Sequence, residues 1–442
     1  MGEMRAAVFY DKSQPLKIEM VPIPAISETD VLVKVAACGL CRTDLHYIHG
    51  LPTAKKAPII LGHEISGTVA DTGAKVTKFK KGDRVLIPPV FACGTCHYCR
   101  TGRGTICEKQ TMVGNHRDGG FAEYVAVPAS DIFVLPEPIP LHEGSIIADA
   151  ISTPYHAVVN RGKVLPGESV LVIGCGGVGL SLVQMASLAG GSVTAVDIFD
   201  EKLEQAKKFG ATEVINAKKV ESLSKAVKKA TGGGVDVAFE VIGNPPTIEE
   251  AFKAVKWGGR VIVVGYSHED VKLNAGRIMF CEIEVKGSLG CGLQDYPRII
   301  EMARHGKLKI KEMVTHRYKL EDINEGFKPQ TIECIEILKT YKTPFVVAAN
   351  KLDLTSGWRA KSGSVLQGIA SQEPAVMTAV ENKMYEIVGK LHGFGFASER
   401  FDRISDFTKE IAIVPVSAKT GEGIPELLMV VTGLAQRYLE EC

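Results

Sequence analysis

Residues Ser169–Asp197 read SVLVIGCGGVGLSLVQMASLAGGSVTAVD, and this stretch decides the fold of the central part of the chain. The apolar run Val170–Ile173 predicts a strand, and a turn with glycines at positions 174, 176 and 179 follows it. An uncharged helix comes next, and a second predicted strand, Ser192–Val196, ends on Asp197. The glycines spell G-x-G-x-x-G, which in a strand–turn–helix context predicts a dinucleotide-binding unit.

Each position of this turn has a physical reason. Gly174 allows the tight turn, Gly176 leaves room for a pyrophosphate against bare backbone, and Gly179 lets the helix pack closely on the strand. The helix begins near Gly177 and Val178, so unpaired N–H groups and the positive end of the helix dipole face the phosphates. The turn therefore predicts a phosphate cradle.

Asp197 stands where a carboxylate would accept hydrogen bonds from the adenosine ribose hydroxyls and repel a 2′-phosphate. This favours NAD over NADP. The alternative is a membrane span, because no charge interrupts residues 169–196. Six glycines, the scattered Ser, Gln and Thr residues and the strand-like ends exclude that alternative.

Composition places the chain among ordinary globular proteins. Its 442 residues suffice for two or three domains, with 45% hydrophobic and 23% charged residues. A formal net charge of +1 gives no field that would attract nucleic acid or an anionic membrane, so neither is an expected partner. Residues 1–25 lack a signal-peptide pattern, so we expect a cytoplasmic protein whose eleven cysteines are thiols or metal ligands.

The N-terminal region carries scattered metal-ligand residue types. Residues 4–35 alternate apolar and polar side chains, which predicts short antiparallel strands. Cys41 follows this region in the sequence CGLCRTDLH, and His63 and Glu64 come after the apolar run PIIL. A thiol, an imidazole and a carboxylate at strand ends could supply one open metal site.

The segment FACGTCHYCRTGRGTIC, within about residues 91–109, contains four closely spaced cysteines. The spacing C-x2-C-x2-C-x7-C brings four thiolates onto one lobe and suits a closed tetrahedral zinc site. An iron–sulfur cluster is the competing use of such spacing. The small glycine-rich insertion without a following Cys-Pro favours zinc. The four candidate ligands are Cys93, Cys96, Cys99 and Cys107.

In this order and at these intervals, the motifs resemble those of the zinc-containing medium-chain alcohol dehydrogenases, over about residues 4–327. The resemblance implies an α/β protein with a GroES-like β-barrel catalytic domain and a doubly wound Rossmann domain. The expected boundaries are 1–152 for the catalytic domain, 153–289 for the NAD-binding domain and 290–327 for the return to the catalytic domain. It also implies two zinc ions per chain, NAD as cofactor, and a homo-oligomer, either a dimer or a tetramer.

By this resemblance Cys41, His63 and Asp149 hold a catalytic zinc ion, with Glu64 as an adjacent or alternate ligand. Asp149 replaces a cysteine found in many members, and a carboxylate is a harder donor than a thiolate. We therefore expect weaker zinc binding. Asp44 is expected to orient His63.

Five other residues receive roles from the same resemblance. Thr43 would accept the proton of the substrate hydroxyl and pass it toward His46. Arg42 would contact the pyrophosphate, and Thr153 would lie against the nicotinamide. Lys202 would support Asp197 at the ribose, although a solvated lysine on a helix surface is the alternative.

Leu320–Phe327 still fits the dehydrogenase pattern, and after Phe327 the sequence changes character. A buried-type strand is expected over Pro344–Asp353, and a second over Ile411–Lys419. Their ends carry N-K-x-D and S-A-K, which in GTPases contact the guanine base. Residues 322–442 resemble the second half of the GTP-binding domain of the archaeal/eukaryotic initiation factor that joins ribosomal subunits, and DINEGFK fits both families. The implied guanine-contacting residues are Asn350, Lys351, Asp353, Ser417, Ala418 and Lys419.

This C-terminal segment, 328–442, therefore predicts a partial α/β GTPase domain. The sequence contains no G-x-x-x-x-G-K-[ST] loop, and GTP binding is not expected because phosphates supply most nucleotide affinity. The family's closing strand after Phe327 is also missing, and Thr343–Ala349 is the best candidate to replace it. We expect a partly ordered appendage.

Three functions follow from the sequence. The leading hypothesis is an NAD-dependent zinc alcohol dehydrogenase that acts on a small alcohol, aldehyde or ketone. A nucleotide-binding translation-factor module, supported by residues 322–442 alone, is a second, and a nonfunctional fusion is a third.

The segment MVTHRYKL, before the change of character, is expected to be strand-like.

Overall fold

A computed structural model describes residues 2–12, 14–48, 57–326, 344–360 and 364–439. The contacts within the chain divide it into two compact units, Met1–Phe327 and Lys328–Cys442. Among the helices of these described ranges, none has both the length and the hydropathy that crossing a bilayer requires.

Short antiparallel strands build the N-terminal part of the first unit. The sheet orders are β10-β6-β5-β3-β9, β2-β1-β4 and β7-β8. Strands β1 to β10 are Glu3–Phe9, Lys17–Pro22, Asp30–Gly39, Ile59–Ile60, Glu64–Thr72, Arg84–Ile87, Val90–Phe91, Thr111–Met112, Tyr124–Pro128 and Phe133–Val134. Helices α1 to α3 are Arg42–Ile48, His97–Arg100 and Ser152–Tyr155.

A six-stranded parallel sheet follows, in the order β13-β12-β11-β14-β15-β16. This is the 3-2-1-4-5-6 order of the dinucleotide-binding fold, so the predicted Rossmann domain is confirmed. Apolar side chains fill both faces of the sheet, as expected for parallel strands covered by helices. Strands β11 to β16 are Ser169–Ile173, Ser192–Asp197, Glu213–Asn216, Val235–Glu240, Val255–Val263 and Glu284–Gly287. Helices α4 to α8 are Gly177–Leu188, Asp200–Lys208, Leu223–Ala230, Pro245–Ala254 and Ala275–Phe280.

The chain then returns to the N-terminal part through three helices. They are α9, Tyr296–Arg304, α10, Ile310–Met313, and α11, Ile323–Gly326. The expectation of a strand over MVTHRYKL is wrong: residues 314–319 contain no strand, and helix α10 ends at Met313. Alternating apolar side chains alone do not make a strand where no neighbouring strand offers a hydrogen-bonding edge.

The second unit has a three-stranded parallel sheet in the order β17-β19-β18 and its own core. Val347 pairs with Ile413, so the candidate for closing the catalytic domain is instead a strand of this sheet. The buried-type strand expected over Pro344–Asp353 is only three residues long and partly exposed. Strands β17 to β19 are Val347–Ala349, Ala397–Arg400 and Glu410–Pro415; helices α12 to α14 are Val365–Ala370, Pro374–Gly393 and Ile424–Leu439.

Candidate active site and metal centres

Four predicted ligand residues converge at one point of the first unit. One donor atom from each of Cys41, His63, Glu64 and Asp149 lies within 4.8 Å of the other three. The sulfur of Cys41 is 3.7 Å from Asp149 Oδ2, and His63 Nε2 is 3.5 Å from the same oxygen. Three separate segments supply these atoms: the turn before α1, the start of β5 and the residues after the 3₁₀ helix Glu143–Ala148.

Asp44 ties two of these segments together. Its fully buried carboxylate accepts hydrogen bonds from the backbone N–H groups of Cys41 (3.1 Å) and Gly62 (3.2 Å). His63 Nδ1 lies 3.3 Å from Asp44 Oδ1, so Nδ1 carries the proton and Nε2 points toward the cluster. This is the arrangement by which an outer carboxylate fixes the tautomer of a ligating histidine.

The electrostatics of this cluster favour a bound cation. Burial lowers the pKa of His63, but Asp44 and Cys41 raise it well above its ordinary value. Burial and the nearby charge of Asp149 raise the pKa of Glu64 to about 8, and burial raises the pKa of the Cys41 thiol. Within this cluster His63 is the one basic side chain beside two carboxylates and a thiol, and a divalent cation would compensate the negative charge of the acidic groups.

The donor set also fits zinc. His63 Nε2 is buried and has no hydrogen-bond partner among the described residues. An imidazole nitrogen, a thiol and a carboxylate are all ligand types found in catalytic zinc sites. Glu64 packs closely on Gly39 of β3: a Cβ added to Gly39 would lie 2.0 Å from Glu64 Oε2 and 2.9 Å from Glu64 Cβ, so a larger residue there would displace this carboxylate.

The predicted proton relay lies on α1. Thr43 and His46 are three residues apart, so both side chains occupy one face of this helix, and both are half-buried. The ring of Tyr266, from the loop after β15, lies 6.0 Å from the His46 ring. Arg42 is exposed at the start of the same helix. Thr153 donates a hydrogen bond to Asp149 Oδ1, a contact that the sequence did not suggest.

The four-cysteine lobe is also assembled in the structure. Its sulfur atoms are 3.5 Å (Cys96 to Cys99), 3.8 Å (Cys96 to Cys107) and 3.9 Å (Cys93 to Cys99) apart. A tetrahedron with Zn–S bonds of about 2.3 Å has edges of roughly 3.8 Å, so the spacing fits one zinc ion. Hydrogen bonds from Thr95 lower the pKa of Cys93 to about 5, which favours the thiolate that a metal binds.

The glycine-rich turn has the predicted geometry. Gly174 has a φ of +100°, in the left-handed region that favours glycine. A Cβ on Gly179 would meet the carbonyl oxygen of Gly174 at 1.8 Å, whereas Gly176 and Gly177 face open space. Val178 follows in the first turn of α4. The open side of the turn is where a phosphate could approach the exposed N–H groups.

Asp197 ends β12 directly beside this turn. Its carboxylate accepts hydrogen bonds from the backbone N–H groups of Cys175 (2.7 Å), Ile198 (2.7 Å) and Phe199 (3.1 Å). The carboxylate is thereby fixed at the edge of the glycine-rich turn. The ammonium of Lys202 lies 4.9 Å from the centre of the Phe199 ring, one turn into α5.

In the second unit, the two guanine-motif segments lie side by side because β17 and β19 are parallel neighbours. Ser417 donates to Asp353 Oδ1 at 2.6 Å, and the N–H of Ala418 donates to Asn350 Oδ1 at 3.0 Å. Lys351 adopts a left-handed conformation with a φ of +71°, and Lys419 is exposed. The two motifs are therefore in contact, although the sequence contains no phosphate-binding loop.

Family profiles match three parts of the chain. The alcohol dehydrogenase GroES-like domain matches residues 27–137, and the zinc-binding dehydrogenase family matches residues 177–305. The elongation factor Tu GTP-binding domain matches residues 320–437, which confirms that the chain joins segments of two families.

Individual relatives match the dehydrogenase part. An alcohol dehydrogenase of Geobacillus stearothermophilus is 38% identical over 328 residues, 74% of this chain and 95% of that protein. Sorbitol dehydrogenase of Bacillus subtilis strain 168 is 34% identical over 345 residues, 76% of this chain and 96% of that protein. A solved zinc-binding dehydrogenase from Sinorhizobium meliloti 1021, bound to NADP, is 31% identical with a TM-score of 0.68, covering 73% of this chain and 94% of that one.

Zinc and a nicotinamide dinucleotide are the cofactors that accompany this family. The predicted combination of a GroES-like domain and a Rossmann domain is confirmed, together with the added GTPase-type fragment. The chain belongs to the zinc-dependent alcohol dehydrogenase family.

Proposed function

We propose that this protein catalyses NAD-dependent interconversion of a small alcohol and the corresponding aldehyde or ketone. The observation that carries this proposal is the cluster of Cys41, His63 and Asp149, with His63 Nε2 buried, without a hydrogen bond among the described residues and 3.5 Å from Asp149 Oδ2. Glu64 is an adjacent carboxylate in the same cluster. The four cysteines of the lobe would hold a second, structural zinc ion.

Zinc bound in this cluster supplies a Lewis acid for the substrate oxygen, and NAD supplies the hydride acceptor. The side chains of the protein transfer the hydroxyl proton and orient the metal ligand. Thr43 accepts the hydroxyl proton of the alcohol and passes its own proton toward His46, which is half-buried on the same helix face. Asp44 holds His63 in the tautomer that leaves Nε2 free for the metal.

The dinucleotide would lie along the C-terminal ends of the parallel strands. The N–H groups at the start of α4 and the Arg42 side chain would bind the pyrophosphate, and Asp197 and Lys202 the ribose. Thr153 joins the two sites, because it contacts Asp149 and is the residue proposed to face the nicotinamide. A homo-oligomer, a dimer or a tetramer, is part of the proposal.

The proposal is tested by metal analysis combined with a substrate panel. The purified chain is assayed for zinc and incubated with NAD and primary alcohols, secondary alcohols, polyols or hydroxy amino acids, while NADH absorbance is followed. We expect two zinc ions per chain and turnover of at least one class. A zinc-loaded protein that reduces NAD with none of the classes, and oxidises NADH with none of the matching carbonyls, would contradict it.

Cofactor preference gives a prediction for Asp197. The double variant Asp197→Ser, Ile198→Arg should shift the ratio of kcat/KM values toward NADP by about 10- to 100-fold, because it removes a repulsive charge and adds a charge-assisted hydrogen bond. Steady-state kinetics with both cofactors measure the ratio. The matched control is Asp200→Ser, which removes a carboxylate nearby on α5 and should leave the ratio unchanged. Unmodified enzyme that already prefers NADP would contradict the role of Asp197.

The second unit gives a prediction about GTP. Although Asn350 and Asp353 contact the S-A-K segment, the sequence contains no loop that would bind the phosphates. We expect a dissociation constant above about 1 mM. This corresponds to a binding free energy that is less favourable than about −4 kcal/mol. Isothermal titration calorimetry with GTP and guanosine measures it, and Asp353→Ala identifies any heat due to base recognition. Micromolar binding that Asp353→Ala abolishes would make this unit a working nucleotide site.

A further inference from the structure

Tyr296, the first residue of α9, is fully buried and is among the largest side chains in the core. Its hydroxyl donates a hydrogen bond of 2.5 Å to the carbonyl oxygen of Ala148 and lies 3.1 Å from the hydroxyl of Ser152. Ser152 also donates to Ala148, at 2.8 Å. Two hydroxyl groups from distant parts of the chain therefore meet at one carbonyl oxygen.

That carbonyl belongs to the peptide bond that enters Asp149. The Asp149 side chain is held from the other direction by the hydroxyl of Thr153, and its backbone carbonyl accepts a hydrogen bond of 2.9 Å from the Thr153 N–H. The turn over residues 148–153 is thus bonded on both sides of Asp149. Within this set, only Tyr296 comes from outside the turn.

The ring of Tyr296 is itself held in a fixed place. It stacks on Phe133, with centroids 5.4 Å apart and planes inclined by 14°. The preceding residue, Asp295, is buried and accepts a hydrogen bond of 2.7 Å from Asn160, in the π-helix His156–Gly162. The two segments are therefore joined at two points, one beside Asp149 and one more than two turns further along.

We propose that Tyr296 is a positioning residue for Asp149: its hydroxyl fixes the peptide that sets the direction of this carboxylate toward Cys41 and His63. The proposal rests on the proposed zinc site. Loss of the Tyr296 hydroxyl leaves Ala148 with the hydroxyl of Ser152, so this carbonyl keeps a hydrogen bond from within the turn but loses the one from α9. Partners that orient a ligand typically change metal affinity or activity by 10- to 100-fold when removed.

The test is zinc removal from the full chain with a chromogenic chelator. We expect the unmodified protein to release its zinc in two steps. The step that disappears in His63→Ala is assigned to the site of Cys41, His63 and Asp149. Tyr296→Phe keeps the stacked ring, and we expect it to weaken zinc binding at this step by about 10-fold or more while the step of the four-cysteine lobe is unchanged. Activity measured at saturating zinc should recover in part, because the defect lies in metal retention.

Two controls separate positioning from general stability. Asn160→Ala breaks the other hydrogen bond between the same segments, and it should lower the melting temperature without changing either zinc-release step. In an Asp149→Asn background, Tyr296→Phe should have no further effect on zinc, because the carboxylate that it positions is gone.

Unchanged zinc release in Tyr296→Phe would overturn the proposal, even if the melting temperature falls, and so would an equal loss in the Asp149→Asn background. If Tyr296→Phe does not fold, Phe133→Leu replaces it, because it loosens the ring that carries the Tyr296 hydroxyl: weaker zinc retention at the same step supports the proposal and unchanged retention overturns it. An unmodified chain without any His63-dependent zinc would instead overturn the proposed function and not this inference alone.

Discussion

Replacing His63 by alanine should lower kcat by about a thousandfold or more and remove one of two zinc ions from the chain. The physical reason is the convergence of metal-ligand atoms: Nε2 of His63 is buried, has no hydrogen bond within the described residues and lies in the cluster with Cys41 and Asp149. A metal that polarises a substrate oxygen lowers the activation barrier by several kcal/mol, and about 4 kcal/mol corresponds to a thousandfold change in rate.

The fold should largely survive this substitution. Asp44 would lose its contact with the imidazole, but its carboxylate would still accept hydrogen bonds from the N–H groups of Cys41 and Gly62. We therefore expect a melting temperature within a few degrees of the unmodified protein. Zinc content, steady-state kinetics and a melting curve on the same preparation decide the matter, with His142→Ala as an exposed histidine control. Full activity in a variant that holds only one zinc ion would exclude His63 as a ligand that the reaction needs.

The parts of this protein that the sequence predicted are those where the chemistry is local. Gly174 and Gly179 lie five residues apart, and their geometry is set by one turn, so a short pattern suffices to predict it. The cysteine lobe is similar, because four thiols within fifteen residues can reach one ion without help from the rest of the fold. In both cases the sequence spacing is nearly the spatial arrangement.

Contacts between distant segments were not predictable in the same way. The role of Asp149 as a ligand follows from the family resemblance alone, since nothing near it in the sequence indicates that Cys41 lies 3.7 Å away. No pattern connects Tyr296 with Ala148, which are 148 residues apart. Such hydrogen bonds depend on how the return helices pack against the turn, and packing is set by the complete tertiary structure.

The second unit shows the same limit from another side. The apolar run that contains Val347–Ala349 has the composition of a strand that could close the catalytic domain, and β-propensity alone does not specify its partner. Instead, Val347–Ala349 forms its backbone hydrogen bonds with the parallel strand Glu410–Pro415 of the same unit. A core that includes Leu352, Val365 and Val414 forms around this pairing.

Replacing Cys96 by serine should have the opposite profile to the His63 variant. Cys96 lies 3.5 Å from Cys99 and 3.8 Å from Cys107, so its loss opens the tetrahedron of the lobe. The lobe has little apolar core of its own, and small closed zinc sites contribute folding energy directly. We expect a loss of at least about 3 kcal/mol in the free energy of unfolding, which for a unit of this size corresponds to a fall of roughly 5 °C or more in melting temperature. The protein that remains folded should retain most of its kcat.

The matched control for this variant is Cys281→Ser, which changes a buried cysteine outside both clusters and should leave two zinc ions bound. Chelator-resistant zinc, melting temperature and kcat are measured for Cys96→Ser, Cys281→Ser and His63→Ala together. Because one cluster has three non-thiol donors and the other has four thiols, the two losses should separate cleanly: activity falls with His63, and stability falls with Cys96. If activity and stability fall in the same proportion in both variants, the division into a catalytic and a structural zinc site is wrong.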